Sequence, residues 1–181
     1  MEMTGEQLIP AAQAEVWRGL NDPETLRACI SGCESIERLS DTEYTVVTTA
    51  AIGPVKAKFR GKLLLAELAP PNSYTLHFDG QGGAAGFGKG SARVSLAAEG
   101  AGTRLSYAVK AQVGGKLAQI GSRLIDGVAK KLADDFFSAF NQKIAAPPAA
   151  AEPAPETPAG ASPLWWVIAI IAAMFLLAYF T

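Results

Sequence analysis

One histidine, His77, and two cysteines, Cys29 and Cys33, are all that this 181-residue chain offers of the usual soft metal ligands. A single histidine excludes a histidine-rich metal centre and any two-histidine acid/base pair. Two cysteines are too few for a disulfide scaffold or a four-ligand zinc site. Charge of one sign is also missing: 16 Lys+Arg face 17 Asp+Glu, a formal net charge of −1. Without a basic excess there is no electrostatic footprint for nucleic acid, which is excluded as a partner. The acids are scattered, with neither a paired-carboxylate arrangement nor a Ser-His-Asp constellation. What the chain has in quantity is apolar surface, 49% of its residues.

The chain divides into three regions. Residues 1–144 hold all 16 basic residues and every acid but Glu152 and Glu156, a formal +1 that suits a near-neutral globular domain. Residues 145–163, AAPPAAAEPAPETPAGASP, carry six of the eleven prolines and read as an extended, semi-rigid linker reaching at most about 60 Å. Residues 164–181, LWWVIAIIAAMFLLAYFT, hold no charge. As a helix the run from Leu164 to Phe180 spans roughly 26 Å, enough for one membrane crossing. Trp165 and Trp166 at one end and Tyr179 at the other match interfacial aromatic belts. The amino end, MEMTGEQLIP, lacks the pattern of a secretory signal, and a cleaved lipid-anchor signal does not fit either. The expectation is a tail anchor, with the domain left on the side of synthesis.

Within the domain, helical spacing is seen in Ala12–Leu20 and in Pro23–Ile30, where Asp22 and Pro23 give the cap and first turn. Alternating strands are expected over Tyr44–Ile52, Val55–Leu63, Tyr74–Asp79, Ser91–Ala97 and Leu105–Lys110, joined as an antiparallel meander. Residues 115–144 read as one long amphipathic helix, striped by Leu117, Ile120, Leu124, Val128, Leu132 and Phe136. A curved sheet gripping such a helix is an α+β solution that encloses an interior.

That interior is the candidate site. Its inward alternates are Val55, Ala57, Phe59 and Leu63 on one strand and Tyr74, Leu76 and Phe78 on the next. Val94, Leu105, Tyr107 and Val109 continue the row, and Trp17 adds an indole from the first helix. Leu117, Ile120, Leu124 and Val128 face them from the long helix. The pattern fits a filled core and an apolar cavity equally; a cavity would take a hydrophobic ligand, oriented by the Tyr74 or Tyr107 hydroxyl. The segment Gly80–Gly90 holds six glycines but opens no helix, so it reads as a mobile hairpin loop rather than a phosphate cradle. Phe87, its only large apolar residue, is a candidate gate. His77 alternates outward beside Asp79, with no nucleophile in reach. Cys29 and Cys33 flank Gly32; a redox pair or half a metal site is conceivable, but no second pair completes it, which favours incidental thiols.

Three stretches carry a resemblance to a known family: SGCESIE at 31–37, IGPVKAKFRGKL at 52–63 and GKGSARVSLAAEGAGTRLSYAVKAQVGGKLAQIGSRLIDGVAKKL at 88–132. Over residues 1–144 the chain resembles the CoxG family of carbon monoxide dehydrogenase subunits, with Ser31 where that family usually shows proline. The linker and apolar tail look like those of its membrane-anchored members. The resemblance implies the START-like helix-grip fold of the SRPBCC superfamily. It also implies association with the molybdenum–copper carbon monoxide dehydrogenase at the cytoplasmic membrane, and a quinone, menaquinone or ubiquinone, carried in the cavity. No catalytic or metal-binding residue transfers from it.

The combined expectation is a non-enzymatic, tail-anchored domain facing the cytoplasm that holds a quinone or similar isoprenoid lipid, with no covalently bound cofactor. The alternatives are a purely structural anchor for the dehydrogenase and an enzyme of the cyclase or hydrolase type. The latter needs a polar cluster inside the cavity, where the alternation places only tyrosines.

Overall fold

The computed structural model describes residues 1–145. The chain begins as strand β1 (Glu2–Ile9), followed by two short helices, α1 (Gln13–Leu20) and α2 (Pro23–Cys29). Six strands come next: β2 (Cys33–Arg38), β3 (Glu43–Ile52), β4 (Val55–Ala69), β5 (Ser73–Gln81), β6 (Phe87–Glu99) and β7 (Gly102–Gly114). The short helix α3 (Lys116–Gln119) then leads into the long helix α4 (Ser122–Ala145). The strands form one antiparallel sheet in the order β1-β7-β6-β5-β4-β3-β2. Thus β2 to β7 run as a meander, and β1 adds to its far side against β7. An antiparallel sheet with a long closing helix is the α+β helix-grip arrangement that the sequence predicts.

Local chemistry accounts for the elements. Helix α2 starts where the Asp22 carboxylate accepts the Thr25 amide at 2.9 Å and the Thr25 hydroxyl at 2.6 Å, with Pro23 pre-set for the first turn. The Thr25 hydroxyl bond, against some desolvation, holds that carboxyl below the usual carboxylate range. Strand β4 keeps Lys56, Lys58, Arg60 and Lys62 exposed while Val55, Ala57 and Phe59 turn in and are half-buried. At the other end of the domain the core closes: Ile9 of β1, Val16 of α1 and Phe140 of α4 are wholly buried, and Leu105 of β7 is nearly so.

The closing helix differs from expectation. A single helix over 115–144 is broken at Gly121, whose φ of 97° is left-handed, so α4 begins in a new phase. The stripe drawn from Leu117 through Leu124 to Leu132 crosses that break and loses its meaning. Leu124 is 44% and Leu132 40% exposed, whereas Ile125, Phe137 and Phe140 are buried. The expected linker beyond Ala145 and the expected membrane span over 164–181 lie outside the described residues. Among the described residues no helix is long and apolar enough to cross a membrane.

Candidate functional site

Between the sheet and α4 the inward side chains leave two hollows. The deep one, about 260 Å³, lies among residues of the buried core, including Leu20, Tyr44, Leu65, Val94, Leu105 and Phe137. The outer one, about 280 Å³, lies under the first half of α4, between Met1, Ile52, Phe78 and Val113 on the sheet and Leu117, Ile125 and Leu132 above. Met3 of β1 and Val109 of β7, which pair in the sheet, line both. The two hollows therefore meet at a waist and form one trough. No charged side chain lines either hollow among the described residues.

The expected residues divide between them. Leu63, Tyr74, Leu76, Val94, Leu105, Tyr107 and Val109 line the deep hollow. Phe78, Val109, Leu117 and Val128 line the outer one. The other seven line neither. Val55 and Ala57 sit toward the β3–β4 turn, and the Phe59 ring packs on Gly82. Ile120 and Leu124 close over that turn: a β-carbon built on Gly53 would stand 2.9 Å from Leu124 Cδ2 and 3.6 Å from Ile120 Cγ2. Trp17 stands one layer back, edge-on to Tyr74 with ring centroids 5.5 Å apart.

Phe87 is a correction. Its neighbours Gly88, Ala92 and Val94 on β6 point inward, so strand alternation puts Phe87 on the outer face. There its ring covers Gly114 and lies 5.8 Å from Lys89 Nζ, and it gates nothing. Nor is the glycine-rich segment a free flap. Strand β5 continues to Gln81, and β6 starts at Phe87 after a single 3-10 turn at Gly83–Ala85. Gly86 and Gly115, with φ of 113° and 71°, let this loop and the end of β7 touch backbone to backbone.

The sequence reading missed Met3, Leu20, Leu26, Ile30, Tyr44, Leu65, Ala92, Ala133, Phe136 and Phe137 as lining residues. A signal for part of the space existed. Inward positions on the central strands are small: Gly61 on β4, Gly80 on β5, and Gly88, Gly90 and Ala92 on β6. Several of the glycines taken for a mobile loop are the missing volume that opens the trough.

Hydroxyls supply the polarity. Tyr44 donates to the Asn21 carbonyl at 3.1 Å. The hydroxyls of Tyr74 and Tyr107 find no partner among the described residues, although Tyr74 is only 6% exposed. The Tyr107 ring stacks on Phe137 at 5.4 Å and covers Gly5. Burial pushes both phenols above their ordinary value near 10, Tyr74 far above it, and for Tyr107 the Asp134 carboxylate adds to the rise. Burial also raises the Cys29 and Cys33 thiols from near 9, so they remain protonated. No metal-binding cluster of three or more such residues occurs among the described residues. His77 and Asp79 are exposed on the outer face.

The buried phenol makes stability fall at high pH. Below pH 10 Tyr74 is neutral whether the chain is folded or unfolded, and its contribution to stability is fully present. As pH rises toward the raised folded value, only the unfolded phenol ionises, and stability falls by up to about 1.4 kcal/mol per pH unit. The two thiols start the decline about one unit earlier. Urea unfolding between pH 8 and 11 should show this loss, and Tyr74→Phe should flatten its upper part.

A twisted antiparallel sheet, a long closing helix and an uncharged trough between them define the protein as a START-like helix-grip domain. More narrowly, the chain belongs to the CoxG family, the G-type subunits of carbon monoxide dehydrogenase, whose sequence profile matches residues 5–145. A conserved protein from Geobacillus kaustophilus of known structure is 35% identical, covering 80% of this chain and 95% of its own, with a TM-score of 0.76. A Thermus thermophilus protein is 16% identical over 80% of this chain and 97% of its own, at a TM-score of 0.61. A START superfamily protein from Mycobacterium smegmatis is 12% identical over 79% and 96%, at 0.62; these last two show the fold alone. No curated protein matches the chain.

Proposed function

We propose that this protein carries a quinone or similar isoprenoid lipid in the trough and presents it to a carbon monoxide dehydrogenase. The observation that supports this reading is the uncharged lining of two joined hollows, which together suit a long neutral molecule better than a compact polar one. Burying a polyprenyl tail there is favourable by roughly 25 cal/mol per Å² of apolar surface. The family name supplies the partner: its members are designated a subunit of carbon monoxide dehydrogenase, as an accessory rather than a catalytic part. In this reading the apolar run of residues 164–181 anchors the chain in the cytoplasmic membrane, domain toward the cytoplasm. The proline-rich segment before it acts as a tether that keeps the domain close to both membrane quinone and enzyme.

Residues 1–146 form a compact unit, and the Geobacillus relative consists almost wholly of the corresponding domain, so this unit is suited to study alone. Purified without detergent, it should show bound quinone in native mass spectrometry, or take up added menaquinone or ubiquinone in a one-to-one ratio. A domain that is empty and takes up neither defeats the carrier reading, leaving a recruitment factor that docks the dehydrogenase at the membrane.

A further inference from the structure

The two ends of the trough differ chemically. The outer hollow is lined by aliphatic side chains, Phe78, two methionines and a glycine, and it ends near the exposed Leu132. The deep hollow carries three tyrosines, and they are not equivalent. Tyr44 donates its proton to Asn21. Tyr107 is half-buried at the side of the trough, within the influence of Asp134 and Lys130. Tyr74 alone combines 6% exposure, a place on the deep wall and a hydroxyl without an acceptor among the described residues. Nor is that oxygen sealed in. Among the described residues, Asn141 Oδ1 is the fully enclosed side-chain polar atom that lacks a partner, so the Tyr74 oxygen keeps surface, and that surface opens on the hollow it lines. A buried donor left without an acceptor is costly, and a ligand that supplies the acceptor recovers that cost.

We propose that Tyr74 is the head-group donor of the site. It selects a neutral ligand bearing a carbonyl oxygen and holds that ligand head-first, with the carbonyl in the deep hollow and the tail running out past Met3 and Val109. The inference rests on the carrier reading and deepens it. A carboxylate or phosphate head is rejected, because no cation lines the trough among the described residues and an unpaired charge there is strongly disfavoured. A plain hydrocarbon leaves the hydroxyl unpaired.

Orientation can be read directly. Trp17 is the only tryptophan before residue 165, and its ring centroid stands 5.5 Å from that of Tyr74. Quinone rings quench tryptophan, so a head-first quinone extinguishes most Trp17 emission on binding, whereas a tail-first one leaves it. The experiment uses residues 1–146, with N-phenyl-1-naphthylamine as a neutral probe and decylubiquinone and palmitate as competitors. Decylubiquinone should displace the probe and quench Trp17, and palmitate should do neither. Tyr74→Phe should weaken decylubiquinone about tenfold and leave the probe's own affinity unchanged. Tyr107→Phe should change either by less than about twofold. The lowered carbonyl stretch of bound quinone should revert in Tyr74→Phe, which a merely structural role would not produce. Displacement without quenching overturns the head-first placement while the carrier reading stands. So does equal weakening of quinone and probe by Tyr74→Phe, or palmitate competing as well as quinone. No displacement at all by decylubiquinone overturns both.

Discussion

Replacing Ala92 with phenylalanine should abolish ligand uptake while leaving the domain folded. Ala92 points inward from the middle of β6, opposite Leu76 and Val109, and all three line the deep hollow. A ring at this position projects into existing space, so the usual cost of overpacking is reduced by the cavity it fills. Quinone affinity should fall by more than about a hundredfold, and stability should change by less than about 1 kcal/mol. Quinone titration and urea unfolding of the same preparation check the two halves. Membrane recruitment of the dehydrogenase should persist in this variant, which separates carrying from anchoring. If carbon monoxide oxidation in cells continues at full rate with the trough filled, ligand carriage is not what the domain contributes.

The second large effect is expected two residues away. A β-carbon built on Gly90 would collide with the Lys110 carbonyl oxygen and lie 2.8 Å from Ala111 Cα. These are backbone atoms of the neighbouring strand, so no rotamer relieves the contact. Gly90→Val should therefore pry β6 from β7 and cost about 3–5 kcal/mol, a large share of a small domain's stability. At Gly88 the same β-carbon would meet only Val113 Cγ1, at 3.9 Å, so Gly88→Ala should cost less than about 1 kcal/mol. Denaturant midpoints of the two variants decide the matter. Similar midpoints would mean that the strand pair yields more easily than its geometry implies.

The strands were legible because polarity alternates cleanly along them. In β4 each of Lys56, Lys58, Arg60 and Lys62 is followed by an inward residue, and the register against β5 keeps that phase. Strand β2 was not legible: CESIER is short, and its pairing with β3 shifts register between Cys33 and Ser35. The phase of α4 was lost because a single left-handed glycine, Gly121, separates two helical patterns that look continuous on paper. For the site, alternation identified the wall positions on β5 and β7 but not which positions are empty. Space comes from residues that are small, such as Gly61 and Ala92, and a search for large apolar side chains passes over them. Leu26 and Ile30 were missed for another reason: they reach the deep hollow from α2 and its end, a contact that depends on how the helices cross the sheet.

The pairing of β1 with β7 has a consequence for the order of events during synthesis. Glu2 lies opposite Lys110 and Met3 opposite Val109, so the waist of the trough joins residues more than a hundred positions apart. At ordinary translation rates β7 follows β1 by about 5–20 s. Through that interval β1 has no neighbour, and its alternating Glu2, Thr4 and Glu6 give the waiting strand a polar face that discourages pairing with other chains. The trough has no complete wall until both strands have met. Loading is thus confined to finished molecules, and a nascent chain emerging beside a membrane does not take lipid before it is able to hold it.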